Sequence, residues 1–119
     1  EKLFGACGKA EFIDEALMNA VVCASGSSPA FVYMFIEALA DGAVRCGMPR
    51  KQAYIFAAQA VKGAASMVLE TGEHPGALKD KVCSPAGTTI EGVAALEEYG
   101  MRSAVLKASE AVLNKCREM

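Results

Sequence analysis

The chain has 119 residues, of which 53% are hydrophobic and 22% charged, and its formal net charge is −2 at pH 7. A chain of this length fits one domain that buries a core without metals or cross-links. The weak negative charge argues against a nucleic-acid site, which needs a basic patch, and the high apolar fraction indicates a surface covered by another subunit.

The cysteines and apolar runs indicate the compartment. The five cysteines show no C-x-x-C spacing and no histidine pair at metal-ligand spacing, so we expect free thiols, no metal site and a reducing, cytoplasmic location. The apolar runs 29–44 and 53–69 carry charges and are shorter than a membrane span, and no signal peptide is apparent. The cysteines are Cys7, Cys23, Cys46, Cys83 and Cys116.

The first thirty residues hold a linker and a helix. Residues 1–12 have little periodicity, and we expect a linker from an upstream domain there, with the helical domain over 13–119. Asp14 is placed to cap a first helix. That helix is predicted to stop at the breaker 25–29, where serine, glycine and proline follow one another.

Two long apolar helices follow. Ser28 suits the N-cap and Pro29 the first helical position of a helix that runs to about Cys46, with Gly47 as its C′ glycine. Only a narrow polar stripe interrupts its apolar surface, so we expect a buried helix. The next helix, 49–71, is rich in alanine and suited to pack against its neighbour or a copy in another subunit. The polar stripe of the first of these two helices consists of Glu37, Asp41 and Arg45.

Shorter helices complete an all-α fold of about six helices. A helix over 75–82 precedes a loop, Thr88 or Thr89 begins the next helix, and Thr88 and Glu91 have the spacing of a capping box. The last helix covers about 102–118. No period-2 strand of useful length is present.

The loop 83–89 is the best candidate for binding. A helix start offers unpaired N–H groups and a partial positive charge, which favours an anion. Gly87 permits close backbone approach, and Ser84, Thr88 and Thr89 supply hydroxyls. The alternative is a capped corner that binds nothing.

Other candidate sites are weaker. The segment Ser25-Gly26-Ser27 suits either a helix boundary or the polar floor of a ligand site. The single histidine, His74, lies in a polar turn and is expected to be exposed rather than catalytic. No dinucleotide fingerprint, P-loop or Ser/His/Asp set is present.

Several segments, in order and spacing, resemble the C-terminal domain of pyrroline-5-carboxylate reductase. The resemblance covers roughly residues 13–118. It implies an intertwined homodimer built on the two long helices, and in many members a decamer assembled from such dimers. The segments are Ser25–Phe31, Glu37–Gly42, Gly47–Arg50, Glu70–Gly76, Leu78–Asp80 and Ser84–Ile90.

The resemblance also implies an activity. Family members reduce the C=N bond of 1-pyrroline-5-carboxylate to give L-proline, the last step of proline biosynthesis, with hydride from NADPH or NADH. The cofactor is bound mainly by an N-terminal Rossmann domain, which this chain does not match. We therefore expect the full-length protein to be the enzyme and this chain alone to be inactive.

The resemblance also assigns roles to the residues of this chain that match the family's site positions. Ser84, Gly87, Thr88 and Thr89 correspond to the group that holds the substrate carboxylate, and Ser25, Gly26 and Ser27 to a motif near nicotinamide and substrate. For the proton donor the only candidate is Glu73, one position beyond where some members place an acidic residue. Ala86 stands where the family commonly has glycine, which makes that peptide less free to take a positive φ.

Two alternatives remain. The chain could be a purely structural helical oligomerisation module, or the helical domain of another imine or hydroxy-acid reductase. Neither alternative predicts tight binding of a pyrroline carboxylate at the 84–89 loop. No nucleic-acid or membrane partner is expected.

Overall fold

A computed structural model describes residues 17–119, so the predicted linker and the Asp14 cap lie outside the described residues. That part of the chain is helical and contains no strand, which confirms the all-α prediction. Six α-helices and one π-helical turn, Val22–Gly26, follow one another. The helices are α1 Met18–Val21, α2 Ser28–Arg45, α3 Arg50–Thr71, α4 Pro75–Lys81, α5 Thr88–Glu98 and α6 Met101–Glu118.

The predicted break at 25–29 is present but is narrower and less sharp than expected. A π-helical turn carries α1 on to Gly26, and its Ser27 N–H donates to the Val22 carbonyl at 2.8 Å. Only Ser27 separates this turn from α2. The Ser28 hydroxyl donates to the Ala24 carbonyl at 2.7 Å instead of accepting an N–H as a cap. Because the extra residue is absorbed in the wider turn, serine and glycine do not stop the helix here.

Two compact units divide the chain, and the first contains α1, the π-helical turn and the C-terminal part of α6. Within it the Cys23 thiol donates to the Ser109 carbonyl at 3.4 Å. The described cysteines are free, as expected, whereas Cys7 lies outside the described residues. Thiols of this kind serve as small side chains in packing.

The second unit, Ala30–Val105, has a small core of alanines. Ala40 of α2 and Ala53 and Ala57 of α3 are buried, and larger side chains such as Ile36 and Met48 pack around them. The predicted helix ends are confirmed at Gly47, with a φ of 104°, and at Gly72, with a φ of 70°.

An ion pair joins the same two helices across their turn. Asp41 of α2 bonds to the guanidinium of Arg50, and Arg50 also lies 5.6 Å from the centre of the Tyr54 ring. The hydrogen bond to the neighbouring Asp41 carboxylate raises the pKa of Arg50 above its ordinary value. Arg50 therefore stays charged at any working pH.

The prediction that α2 is buried fails for the single chain. Ala40 is its one buried residue, while Tyr33 and Met34 are each 67% exposed. On α3, Phe56 is 62% exposed and Leu69 is 64% exposed. The described helices provide too few neighbours to cover these faces. An apolar surface of this extent is typical of an interface.

The continuous helical stretch Met18–Arg45 is long and apolar enough to cross a membrane, with a mean hydropathy of 1.3 in its most apolar window. The sequence predicts that the run 29–44 is too short to span a membrane, because a helix break is expected where the π-helical turn lies. Core helices of soluble proteins meet the same criteria. No other described helix meets them.

Candidate functional site: the turn before α5

The predicted loop forms a tight turn between α4 and α5. The Gly87 N–H donates to the Ser84 carbonyl at 3.1 Å, which places Pro85 and Ala86 at the two central positions. Ala86 has a φ of 59°. Proline fixes a negative φ before it, so the turn is of type II, whose second central residue is usually glycine. Ala86 thus adopts the conformation that its side chain disfavours.

The start of α5 offers N–H groups to a ligand. Gly87 is the N-cap, with extended backbone, and no side chain caps the helix. The predicted capping box is therefore wrong, because Thr88 is the first helical residue and not the cap. The N–H groups of Thr88 and Thr89 have no acceptor within the helix. Together with the helix dipole they favour a small anion.

Ser84 and Gly87 lie in close contact. A Cβ at Gly87 would come within 2.6 Å of the Ser84 hydroxyl oxygen and 3.2 Å of the Ser84 carbonyl oxygen. Position 87 therefore requires glycine for space rather than for its dihedral angles. The turn brings the four predicted carboxylate-binding residues, Ser84 and 87–89, into one corner, and Ser84, Thr88 and Thr89 are exposed.

The remaining candidate residues, Glu73 and His74, lie in the turn between α3 and α4, where both make local contacts. His74 is the N-cap of α4, and its Nδ1 accepts the Gly76 N–H at 2.9 Å. Both carboxylate oxygens of Glu73 accept from the Lys81 ammonium, at 2.8 and 3.0 Å. His74 is exposed, as predicted, and has a structural role, while Lys81 holds Glu73 across the length of α4.

The other lysine of α4 is paired as well. Lys79 lies 3.3 Å from the carboxylate of Asp80. With Lys81 bonded to Glu73, both cations of this short helix have an anionic neighbour. The hydrogen-bond donors that remain at the corner itself are backbone N–H groups and hydroxyls.

The second predicted segment, Ser25, Gly26 and Ser27, belongs to the first unit, whereas the corner belongs to the second. Ser25 donates its hydroxyl proton to the Val21 carbonyl at 3.0 Å. Ser25 and Gly26 lie in the π-helical turn, and such turns are frequent at functional sites.

Residues 17–119 offer no metal or dinucleotide site. No group of three or more His, Cys, Asp or Glu residues in this range is placed to hold a metal ion. No strand precedes a glycine-rich helix start in the same range, so these residues do not form a Rossmann-type dinucleotide site.

Sequence reasoning missed two contacts near the corner. The His74 cap had a signal, because the residue before a proline at the first helical position is the N-cap. The pairing of Glu73 with Lys81 had none, since the two residues are eight apart across a turn of unknown geometry.

Comparison with known proteins agrees with these observations. The family described as pyrroline-5-carboxylate reductase dimerisation matches residues 15–119. Pyrroline-5-carboxylate reductase of Escherichia coli K12 is 64% identical over 116 residues, which are 98% of this chain and 42% of that protein. The Arabidopsis thaliana reductase is 50% identical over 117 residues, again 98% of this chain and 42% of the relative.

Solved structures show the same fold. The Streptococcus pyogenes 1-pyrroline-5-carboxylate reductase matches with a TM-score of 0.91 and 34% identity, over 99% of this chain and 46% of the other. The Plasmodium falciparum pyrroline carboxylate reductase with NADP bound matches with a TM-score of 0.86 and 35% identity, over 96% of this chain and 46% of the other. The chain spans less than half the length of these relatives. It belongs to the pyrroline-5-carboxylate reductase dimerisation family.

Proposed function

We propose that this chain is the substrate-binding and dimerisation domain of an NAD(P)H-dependent pyrroline-5-carboxylate reductase. The full-length enzyme reduces 1-pyrroline-5-carboxylate to L-proline in the cytoplasm, and a Rossmann domain outside this chain holds the cofactor. The family match over residues 15–119 is the observation that carries the proposal. The N-terminus of α5 supports the further assignment of the substrate carboxylate to Ser84 and 87–89.

The corner suits a carboxylate on a small ring. Two adjacent N–H groups at the helix start and the hydroxyls of Ser84, Thr88 and Thr89 supply directed donors. A carboxylate held there fixes the ring, so that its C=N carbon faces a hydride donor in a constant geometry. The corner contributes orientation, and the cofactor contributes the hydride.

The exposed apolar faces support a homodimer. In the described residues only three alanines are buried, while Tyr33, Phe56 and Leu69 each expose more than 60% of their surface. A second copy would cover α2 and α3, and a decamer assembled from five such dimers is the further assembly we propose. No membrane or nucleic-acid partner is part of this function.

The sequence alternatives make different predictions. A purely structural module leaves the corner empty, and the helical domain of another imine or hydroxy-acid reductase prefers a different substrate. Steady-state kinetics on the full-length enzyme separates them. We expect Ser84→Ala and Thr89→Ala each to raise the KM for 1-pyrroline-5-carboxylate roughly tenfold, the loss of one hydrogen bond to a charged group.

The matched control is Ser103→Ala, an exposed hydroxyl on α6, which should leave the KM unchanged. Equal KM values for all three variants and the native enzyme would favour the structural module. The isolated chain should show no NADPH oxidation with the substrate. Turnover by this chain alone would contradict the assignment of the cofactor to another domain.

A further inference from the structure

The backbone of Ala86 is unusual in this chain. Among residues 17–119 it is the one non-glycine residue with a positive φ, and the positive-φ glycines, Gly47, Gly72 and Gly100, follow helix ends. In the left-handed region the Cβ of an L-residue approaches the backbone too closely. Such a residue persists only where its surroundings impose the conformation, and it concentrates at ligand sites and switches.

The turn has an unstrained alternative that keeps its hydrogen bond. Both type I and type II turns join the Ser84 carbonyl to the Gly87 N–H, and Pro85 is accepted at the first central position of each. They differ by a rotation of the peptide between Pro85 and Ala86. In type I, Ala86 would have a negative φ, and its N–H would point to the opposite face of the turn.

We propose that Ala86 is a positioning residue that controls which of these two turns the corner adopts, and that the type II turn is the state that binds the substrate carboxylate. This inference rests on the proposed function, since it concerns the same corner. Because alanine disfavours the type II turn, part of the unliganded enzyme occupies the type I turn. The apparent affinity is then lowered by the fraction of molecules that are competent to bind.

Substitutions at Ala86 in the full-length enzyme test this. Ala86→Gly removes the strain and should lower the KM for 1-pyrroline-5-carboxylate about three- to fivefold, with kcat unchanged. Ala86→Asn should also lower the KM, because asparagine tolerates the left-handed region although it is larger than alanine. Ala86→Val should raise the KM about fivefold or more, since a β-branched residue is least tolerated there.

A structural effect without positioning would give another pattern. Ala94→Gly, at an exposed position of α5, is the matched control and should change thermal stability without changing the KM. Loop packing alone would not change the KM while leaving kcat unchanged. It would also not make Ala86→Gly and Ala86→Asn, which differ in size, change the KM in the same direction. Dissociation constants for L-proline, measured on the same variants, should follow the same order.

The outcomes distinguish this inference from the function on which it rests. If Ser84→Ala and Thr89→Ala raise the KM while the Ala86 variants all match the native enzyme, the role of Ala86 is wrong and the corner stays assigned. A higher KM for both Ala86→Gly and Ala86→Asn would also overturn it. If Ser84→Ala and Thr89→Ala change nothing, the assignment of the corner fails first.

Discussion

The amide nitrogen of Gly87 lies 3.1 Å from the carbonyl oxygen of Ser84, and the side chain of Ser84 leaves no space for a methyl group on Gly87. One hydrogen bond thus closes the turn, and one close contact limits which residue can occupy position 87 at the helix start. The N–H groups of Thr88 and Thr89 follow directly after this turn. Their position depends on how Ser84 and Gly87 fit together.

Gly87→Ala should lower the free energy of unfolding by about 1–3 kcal/mol, because its Cβ would overlap the Ser84 hydroxyl. Denaturant unfolding of the full-length protein measures this. In a Ser84→Ala background much of the loss should be recovered, since the nearest clashing atom, at 2.6 Å, is removed. Gly92→Ala is the matched control: it has open space in the same helix and should be neutral or stabilising. Equal effects at the two glycines would contradict the close contact.

His74 should matter for the stability of α4 and not for the chemical step. His74→Ala removes the Nδ1 acceptor of the Gly76 N–H and should lower the free energy of unfolding by about 1 kcal/mol. His74→Asn keeps an N-cap acceptor and should restore most of it. Thermal unfolding and kcat, measured on the same variants, check both points. A loss of kcat of a hundredfold or more in His74→Asn would show that the histidine acts in catalysis.

Glu73 tests the remaining proton-donor candidate. Its carboxylate is bonded to Lys81 at the end of α4, so we expect Glu73→Gln to change kcat by no more than about twofold. The loss of stability should stay below about 1 kcal/mol, the usual range for an exposed ion pair. Lys81→Gln is the matched variant and should behave alike. A large fall in kcat in Glu73→Gln alone would restore the catalytic hypothesis.

The exposed faces of α2 and α3 predict a dimer in solution. Light scattering should give the mass of two chains for the native domain. Phe56→Glu places a charge on the apolar face of α3 and should shift the mass towards one chain. Gln59→Glu adds a charge at an exposed polar residue of the same helix and should leave the dimer intact. A native domain that is monomeric across the concentration range would contradict the interface.

Much of the fold was predictable because glycine and proline mark the helix ends. Gly47, Gly72 and Gly100 each take a positive φ where a helix stops, and Pro75 begins α4. These are local effects of backbone sterics, so they act within a few residues and are visible in the sequence.

The sequence predictions were wrong where neighbouring structure outweighed the local sequence signal. Ser28 had the signature of a cap, but the π-helical turn before it supplied a carbonyl, at Ala24, to which its hydroxyl donates instead. Thr88 had the spacing of a capping box, but the tight turn made Gly87 the cap. The burial predicted for α2 does not occur within the described residues of one chain, where Ala40 is its one buried residue.

The candidate corner was predictable in composition but not in geometry. Hydroxyls, a glycine and a helix start indicated an anion site at 84–89, and the structure brings these residues together. The positive φ of Ala86 ran against the expectation for alanine. It comes from the type II geometry of the turn, which the residue types at 84–87 did not indicate.

The most direct test of the account is calorimetric binding of L-proline to the full-length enzyme and to its Thr89→Ala variant. We predict that the native enzyme binds proline and that the variant binds it roughly tenfold more weakly, because a hydroxyl donor to the carboxylate is lost. Equal dissociation constants for the two proteins would contradict the assignment of the corner before α5 as the carboxylate site.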